Sequence, residues 1–135
     1  MKAIIAGGRK FIPLKPDYLW LDDMHKKLGI TMVMSGCATG ADQFGEAWAK
    51  LHGIPVDAHP AEWTNINAKG AVVKQRRNGS FYNALAGFWR NQAMADTADV
   101  LLVFPGGSGT ADMIFRARLK GMPVYHAYER DPAVQ

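Results

Sequence analysis

Short apolar runs that end in glycine alternate along this chain with longer segments in which apolar residues recur every three or four positions. The first run, Lys2–Ala6, ends at Gly7 and Gly8, as a strand buried on both faces does when it leaves a sheet through a tight turn. The runs ITMVMSG, IPVDAHP, DVLLVFP and PVYHAY bring the predicted strands to five. Strands that alternate with helices imply a parallel sheet with right-handed crossovers. The sequence therefore predicts an α/β fold, a Rossmann-like three-layer sandwich whose five strands lie in the order 3-2-1-4-5.

Helical segments fill the gaps between these runs. The first is predicted to begin near Pro16 and to stop at Gly29, and the second has an apolar face that ends before Gly53. The third is predicted over FYNALAGFWRNQAMADTA, from Phe81 onward, and the fourth over TADMIFRARLKG. The stretch from 60 to 80 has no clean periodicity and is long for a connection, so we expect a functional loop, alone or with a short helix.

Length and composition predict one domain with an ample core, since the chain has 135 residues of which 48% are hydrophobic. A single cysteine, Cys37, excludes an internal disulfide, and the four histidines have no metal-ligand spacing, so neither a metal nor a cofactor is expected. The apolar run before Gly7 is too short for a signal peptide, and no run is long enough to span a membrane. We therefore expect a cytoplasmic protein with no membrane partner.

Charge alone does not identify a partner, because the formal net charge is only +4. Its distribution is uneven, since no acidic residue occurs between Trp63 and Ala95, a span that holds Lys69, Lys74, Arg76, Arg77 and Arg90. A solvated basic face and a ligand-binding surface remain equal interpretations. Aromatic residues of the same region are candidates either for stacking on a base or for the core: Trp63, Phe81, Tyr82, Phe88 and Trp89.

Two glycine turns are predicted to face one crevice. In an open parallel sheet a ligand binds beyond the carboxyl ends of the strands, where the strand order reverses, here between the first and fourth strands. The turns that leave these strands contain Gly7, Gly8 and Arg9 in one case and Pro105, Gly106, Gly107, Ser108, Gly109 and Thr110 in the other. Backbone N–H groups of such turns, together with the dipole of the following helix, suit a phosphate. The alternative is a pair of turns that need positive φ and hold no ligand.

A third loop leaves the second strand beside this crevice. It contains Ser35, Gly36, Gly40 and Asp42, which we add to the candidate ligand-binding residues. Asp42 in the first turn of a helix is either a cap or an acceptor for a ribose hydroxyl. Cys37 is interpreted as a small residue in a tight turn, because no base accompanies it in the sequence.

Four motifs together carry a resemblance to a known family: AGGRKF at 6–11, SGCATGADQFGEAWA at 35–49, WRNQAMADTADVLLVF at 89–104 and PGGSGTADM at 105–113. As an ordered set they resemble the SLOG superfamily, the Rossmann-like domains of Smf/DprA proteins and of the lonely-guy phosphoribohydrolases. The small YspA-type, cpYpsA-related members are the most similar. The resemblance implies a nucleotide or nucleotide-derived ligand, with its phosphate at PGGSGT and its remainder near SGCATGAD.

In the lonely-guy enzymes an Arg in an R-x-x-x-M segment and the Glu of PGGxGTxxE together break an N-glycosidic bond. Arg90 and Met94 match the first element, whereas position 113 is Met. Glycosidic cleavage develops positive charge on the ribose, which a carboxylate stabilises. Asp112 is a poor substitute for that glutamate, because it lies about 100° around the helix from position 113. Arg90 and Asp112 are the catalytic candidates, and Arg90 with Asn91 suits a phosphate or ribose clamp.

Three functions follow, in decreasing order of support. The first is a sensor, carrier or sequestering protein that binds a nucleoside monophosphate, ADP-ribose or an NAD-derived ligand. The second is an N-glycosidase that uses Asp112, Asp42 or Glu46 as its carboxylate, and the third is a protein that binds single-stranded nucleic acid. Because superfamily members often pair through helices beside the site, the resemblance also implies a homodimer, for which the predicted helix from Phe81 to Met94 is the candidate surface.

Overall fold

The computed structural model describes residues 1–128. Within them, strands and helices follow one another in the order β1 (Lys2–Ala6), α1 (Lys15–Leu28), β2 (Met32–Ser35), α2 (Ala41–Leu51), β3 (Val56–Ala58), β4 (Val73–Gln75), β5 (Phe81–Asn83), α3 (Ala86–Thr97), β6 (Val100–Val103), α4 (Ser108–Leu119) and β7 (Val124–His126). Five strands form one parallel sheet in the order β3-β2-β1-β6-β7. This order confirms the predicted Rossmann-like fold and the predicted reversal between the first and fourth strands of the sheet.

The two faces of the sheet bury separate apolar clusters, as a three-layer sandwich requires. Ala3 and Ile5 of β1 face a cluster with α1 and α2 that includes the fully buried Trp48. Ile4, one position along the same strand, faces the opposite cluster with α3 and α4, which includes Met113. Side chains alternate between faces with period 2, so a strand covered on both sides must be apolar throughout. The run from Ala3 to Ala6 has this composition, and Lys2 at the start of the strand is exposed.

Local signals explain where α1 begins and ends. The carboxylate of Asp17 accepts a hydrogen bond from the N–H of Leu14 at 2.7 Å, and Pro16 occupies the first turn, where its missing N–H costs nothing. At the other end Gly29 adopts φ +65°, and its N–H donates to the carbonyl of His25 at 2.8 Å. The predicted start near Pro16 and stop at Gly29 are thus confirmed.

The segment from 60 to 83 differs from the prediction. Phe81–Asn83, expected to open the third helix, is instead β5, which pairs antiparallel with β4. The hairpin turns between Arg76 and Gly79, where the N–H of Gly79 donates to the carbonyl of Arg76 at 3.0 Å and Gly79 adopts φ +90°. Helix α3 begins only at Ala86, after the side-chain oxygen of Asn83 has accepted the N–H of Leu85 at 3.1 Å. The short helix considered for residues 60–80 is absent, because turns and the strand β4 occupy this stretch.

This hairpin separates the basic residues of the acid-free span. Lys74, Arg76 and Arg77 are exposed on or beside β4, and the guanidinium of Arg76 lies 4.3 Å from the ring centre of Tyr82. Arg90, by contrast, is half-buried on α3. The acid-free span therefore contributes basic residues to two separate places. One is a solvated hairpin, and the other is a single arginine that faces the carboxyl edge of the sheet.

Candidate functional site

The two predicted glycine turns touch each other beyond the ends of β1 and β6. The N–H of Gly8 donates to the carbonyl of Pro105 at 2.9 Å. A Cβ on Gly7 would lie 2.8 Å from Cβ of Ala41 and 2.9 Å from Cβ of Phe104, closer than real Cβ atoms approach. These glycines are therefore needed for the turns to pack, and the N–H of Gly8 is already engaged within the protein.

The first turn of α4 offers the free donors. Among residues 1–128, no acceptor pairs with the backbone N–H groups of Ser108, Gly109 and Thr110, and the first bonded amide is that of Ala111, which donates to the carbonyl of Gly107 at 3.0 Å. A Cβ on Gly107 or on Gly109 would meet nothing within 4 Å. Unpaired N–H groups and the positive end of the helix dipole form an anion site, and open space beside glycine lets an anion come close.

A cleft of about 840 Å³ lies over this helix start, a volume in the range that small-molecule ligands occupy. It brings together most of the residues predicted from sequence to bind ligand: Gly7, Gly8, Arg9, Asp42, Arg90, Asn91, Pro105, Gly106, Gly107, Ser108, Gly109 and Thr110. The crevice predicted from the strand order is therefore present, between turns that lie 97 positions apart at Gly8 and Pro105.

The remaining predicted residues support the cleft from behind. Ser35 is buried, and its hydroxyl oxygen accepts the N–H of Cys37 at 3.0 Å. Gly36 accepts a hydrogen bond from Arg90 on its carbonyl and lines a smaller cavity beside the cleft. Gly40 adopts φ +75° with its Cα against the backbone of Gly8, whose carbonyl accepts the N–H of Ala41 at 3.1 Å. These residues position the turns that contact the cleft.

Arg90 is held by the backbone of one loop and the side chain of its neighbour. Its Nη1 donates to the carbonyl of Gly36 at 2.6 Å, and its Nε donates to Oδ1 of Asn91 at 2.9 Å. Burial lowers the pKa of Arg90, and the negative charge of Asp42 opposes that shift. A guanidinium so oriented keeps its remaining N–H groups for an oxyanion.

Asn91 connects Arg90 to α4. Its Nδ2 donates to Oδ2 of Asp112 at 2.9 Å and lies 3.3 Å from the carbonyl of Gly109. The same oxygen of Asp112 accepts Nε of Arg116 at 2.8 Å. Asp112 is thus engaged by two donors and is not among the residues that line the cleft. These contacts agree with the prediction that Asp112 substitutes poorly for a glutamate at position 113.

Two methionines occupy the floor of the cleft. Met113 is 1% exposed and lines the cleft together with Met94. Position 113, where the lonely-guy pattern has its glutamate, therefore reaches the site and presents an apolar side chain to it. Among the described residues that line the cleft, Asp42 supplies the carboxylate, because Glu46 lies elsewhere on α2.

Asp42 is 7% exposed and accepts the N–H of Ala38 at 3.1 Å. Burial raises the pKa of this carboxyl, and the hydrogen bond from Ala38 and the nearby charge of Arg90 partly offset the rise. A buried acid with a raised pKa is a form of side chain that often occurs in functional clefts. Here it also lowers the positive charge of the site.

The raised pKa of Asp42 predicts a pH dependence of stability. A folded-state pKa above the ordinary 3.8 means that Asp42 favours folding most below 3.8 and loses that contribution as pH rises through its folded value. We expect the free energy of unfolding of the wild type, measured by urea denaturation, to gain on that of Asp42→Asn as pH falls from neutral. An unchanged difference between the two proteins across this range would contradict the raised pKa.

Aromatic residues line the cleft opposite the charges. Phe11, Trp63 and Phe88 contribute, whereas the predicted candidates Phe81, Tyr82 and Trp89 do not. Sequence reasoning missed Phe11 and Lys10 as lining residues, although both directly follow the first glycine turn. Their position directly after Arg9 is the feature of the sequence that would have predicted them as lining residues.

No metal site accompanies this arrangement in the part of the chain that the structure describes, where no three His, Cys, Asp or Glu side chains cluster closely enough to hold an ion. In the same residues, no helix has both the length and the apolar character that crossing a bilayer demands.

Comparison with known proteins gives a match between part of the chain and a family model. Residues 1–65 match the sequence model of the YspA, cpYpsA-related SLOG family. Over these residues the chain is similar to the YspA-type SLOG family. The match confirms the resemblance noted in the sequence and covers the turn at Gly7 and the loop up to Asp42. Arg90 and the start of α4 lie outside the matched residues, and it is the structure that brings them to one cleft with that turn and loop. Neither curated proteins nor solved structures give a match.

Proposed function

We propose that this protein binds a nucleotide-type ligand, as its resemblance to the SLOG family implies, and does not cleave it. The observation that carries the proposal is the set of unpaired N–H groups of Ser108, Gly109 and Thr110, which open on the same cleft as Arg9 and Arg90. The ligand's phosphate would lie at the start of α4. Its role is then that of a sensor, carrier or sequestering protein.

The charge balance of the cleft supports an anionic ligand. Arg9, Lys10 and Arg90 line it, against the single carboxylate of Asp42. Within residues 1–128 the side chain of Arg9 makes neither an ion pair nor a hydrogen bond. Guanidinium groups with free donors match phosphate oxygens in geometry and charge.

The apolar walls support a ligand that also carries a ring. Phe11, Phe88 and the two methionines of the floor face the same space as the phosphate donors. A nucleoside needs such a surface for its base, whereas inorganic phosphate does not.

The residue at position 113 supports binding of a ligand without its cleavage. The buried thioether of Met113 has no charge with which to stabilise an oxocarbenium-like transition state, and Asp112 is held by Asn91 and Arg116. Removing one such electrostatic contact lowers the rate of an enzyme by about a hundredfold or more.

Nucleotide N-glycosidase activity is the second candidate, because Asp42 lines the cleft and burial raises the pKa of its carboxyl. A carboxyl whose pKa is raised is a better proton donor to a departing base than one with an ordinary pKa. In that case Asp42→Asn would abolish base release while leaving nucleotide binding.

Calorimetric titration with AMP and with adenosine, followed by chromatography of the mixture, tests both candidates. We expect AMP to bind, adenosine to bind at least about tenfold more weakly, and the AMP to be recovered intact, since a tenfold difference equals about 1.4 kcal/mol of phosphate contact. Arg90→Ala is the control for contaminating hydrolases. Adenine released above that control would make the protein an enzyme, and equal binding of AMP and adenosine would contradict the phosphate site.

Binding of single-stranded nucleic acid is a further candidate, which titration with an oligonucleotide would detect. The exposed residues Lys74, Arg76 and Arg77 are the natural contacts for a phosphate backbone, and they lie outside the cleft. Affinity for an oligonucleotide carried by these residues would fall steeply with salt and would be unaffected by Arg90→Ala. The affinity for AMP bound within the cleft would instead depend less on salt and would be lowered by Arg90→Ala.

A further inference from the structure

The hairpin of β4 and β5 has an edge that no other strand of residues 1–128 covers. In an antiparallel pair, alternate residues bond to the partner strand, and the residues between them direct their N–H and C=O groups outward. Arg76 is a bonded position, since its N–H donates to the carbonyl of Ser80 at 2.8 Å. Val73 and Gln75 are therefore outward positions of β4, and their backbone groups have no partner in the part of the chain that the structure describes. We call these groups the open edge.

The other edge of the hairpin is already in use. The N–H of Asn83, an outward position of β5, donates to the carbonyl of Trp63 at 2.7 Å, and Trp63 lines the cleft. Asn83 itself is 1% exposed, whereas every residue of β4 is exposed. The hairpin thus joins the body of the protein through β5 and turns β4 toward solvent. A strand with unpaired N–H and C=O groups is a template on which another strand can pair.

The two faces of the hairpin differ in chemistry. Side chains alternate between the faces, so Val73 and Phe81 lie on one face, where they are 47% and 55% exposed. Lys74 lies on the other face with Arg76, whose guanidinium lies over the ring of Tyr82. A strand added beside β4 would place its alternate side chains next to these two groups. Apolar side chains would suit the first face, and acidic side chains would suit the second.

We propose that the open edge binds an extended segment of a partner protein, as an added strand in which acidic residues alternate with apolar ones. No Asp or Glu lies between Trp63 and Ala95 to repel such a segment. A second copy of the hairpin fits poorly, because Lys74 of one copy would meet the like charges of the other. A nucleic acid would contact the basic face alone and would leave the open edge and Val73 without partners.

Hydrogen exchange of ¹⁵N-labelled protein, with and without a peptide, tests the proposal. The probe is a short peptide with blocked ends in which glutamate alternates with valine. In the protein alone, the amides of Val73 and Gln75 should exchange quickly, and that of Lys74, which bonds to β5, should exchange more slowly. The bound peptide should slow exchange at Val73 and Gln75, since hydrogen bonds protect amide protons. The same peptide with lysine in place of glutamate is the charge control and should bind at least about tenfold more weakly.

Val73→Pro tests the hydrogen bonds of the open edge directly. It removes the outward N–H and leaves the hydrogen bonds to β5 in place, because the solvent side of an edge strand accepts proline. We expect it to lower the affinity for the glutamate peptide by about tenfold. Val73→Ala keeps the N–H and loses only part of the side chain, so it should lower the affinity by less. Lys74→Glu should also lower the affinity for the glutamate peptide, and it should raise the affinity for the lysine peptide.

A glutamate peptide that leaves exchange at Val73 and Gln75 unchanged would overturn the proposal, and so would equal binding of the glutamate and lysine peptides. Single-stranded oligothymidylate that binds the hairpin when the glutamate peptide does not would assign the basic face to nucleic acid instead. If Val73→Pro loses the hairpin, seen as fast exchange at Lys74, the wild type and Lys74→Glu decide. These results are independent of AMP binding in the cleft, so the proposed function is tested separately.

Discussion

Gly109→Ala is expected to weaken AMP binding by about tenfold or more, equivalent to about 1.4 kcal/mol, without loss of stability. Gly109 is the second residue of α4, and a Cβ there meets no protein atom within 4 Å. The methyl group would instead occupy the space that a phosphate needs. Alanine favours helix over glycine by about 0.5–1 kcal/mol, so the melting temperature should stay level or rise. Calorimetry and thermal unfolding of the same sample check both parts.

Gly106→Ala is the matched control for this prediction. A Cβ at Gly106 would lie 2.7 Å from the backbone nitrogen of Gly8 and would also meet the side chain of Thr110. Its cost falls on packing, so we expect both stability and binding to decrease. Gly109→Ala that binds AMP like the wild type would show that the space beside α4 holds no phosphate.

Arg90→Ala is expected to lower AMP affinity by about a hundredfold and the free energy of unfolding by about 1.5–3 kcal/mol, the range for hydrogen bonds to charged groups. The substitution removes the donors to the carbonyl of Gly36 and to Asn91, and it deprives buried Asp42 of its nearby positive charge. Titration with AMP and urea denaturation give the two quantities.

Arg90→Lys separates charge from geometry at this position. Lysine keeps a positive charge near Asp42 but cannot hold two partners in a fixed plane, so AMP affinity should fall between those of the wild type and Arg90→Ala. Equal affinity of all three proteins would place the phosphate away from Arg90.

The sheet could be predicted from the sequence because the pattern of residues within each strand is enough to indicate that strand. The strand β1 is apolar at each position from Ala3 to Ala6 since both faces are covered, and Gly7 marks its exit. The crevice followed from topology, since strands that reverse order leave space between their loops. The glycines of the α4 turn are predicted by this topology, whereas Arg90 is predicted by the resemblance of its segment to the R-x-x-x-M pattern.

The hairpin and the position of Trp63 in the cleft could not be predicted in the same way. Phe81–Asn83 has residues that suit either a strand or a buried helix face, and only pairing with β4 decides between them. Trp63 lies close to Gly87, 24 positions away in sequence, and no local pattern indicates this contact. Ser35 and Gly40 were predicted beside the ligand, whereas their contacts are with protein backbone.

The most direct measurement of the central claim is the amide chemical shift of Ser108, Gly109 and Thr110 in ¹⁵N-labelled protein, titrated with AMP and separately with adenosine. Hydrogen bonds from these N–H groups to a phosphate should shift their amide protons strongly downfield with AMP, and adenosine should leave them near their starting values. Shifts confined to the hairpin of β4 and β5, or the same shifts with adenosine, would contradict a phosphate site at the start of α4.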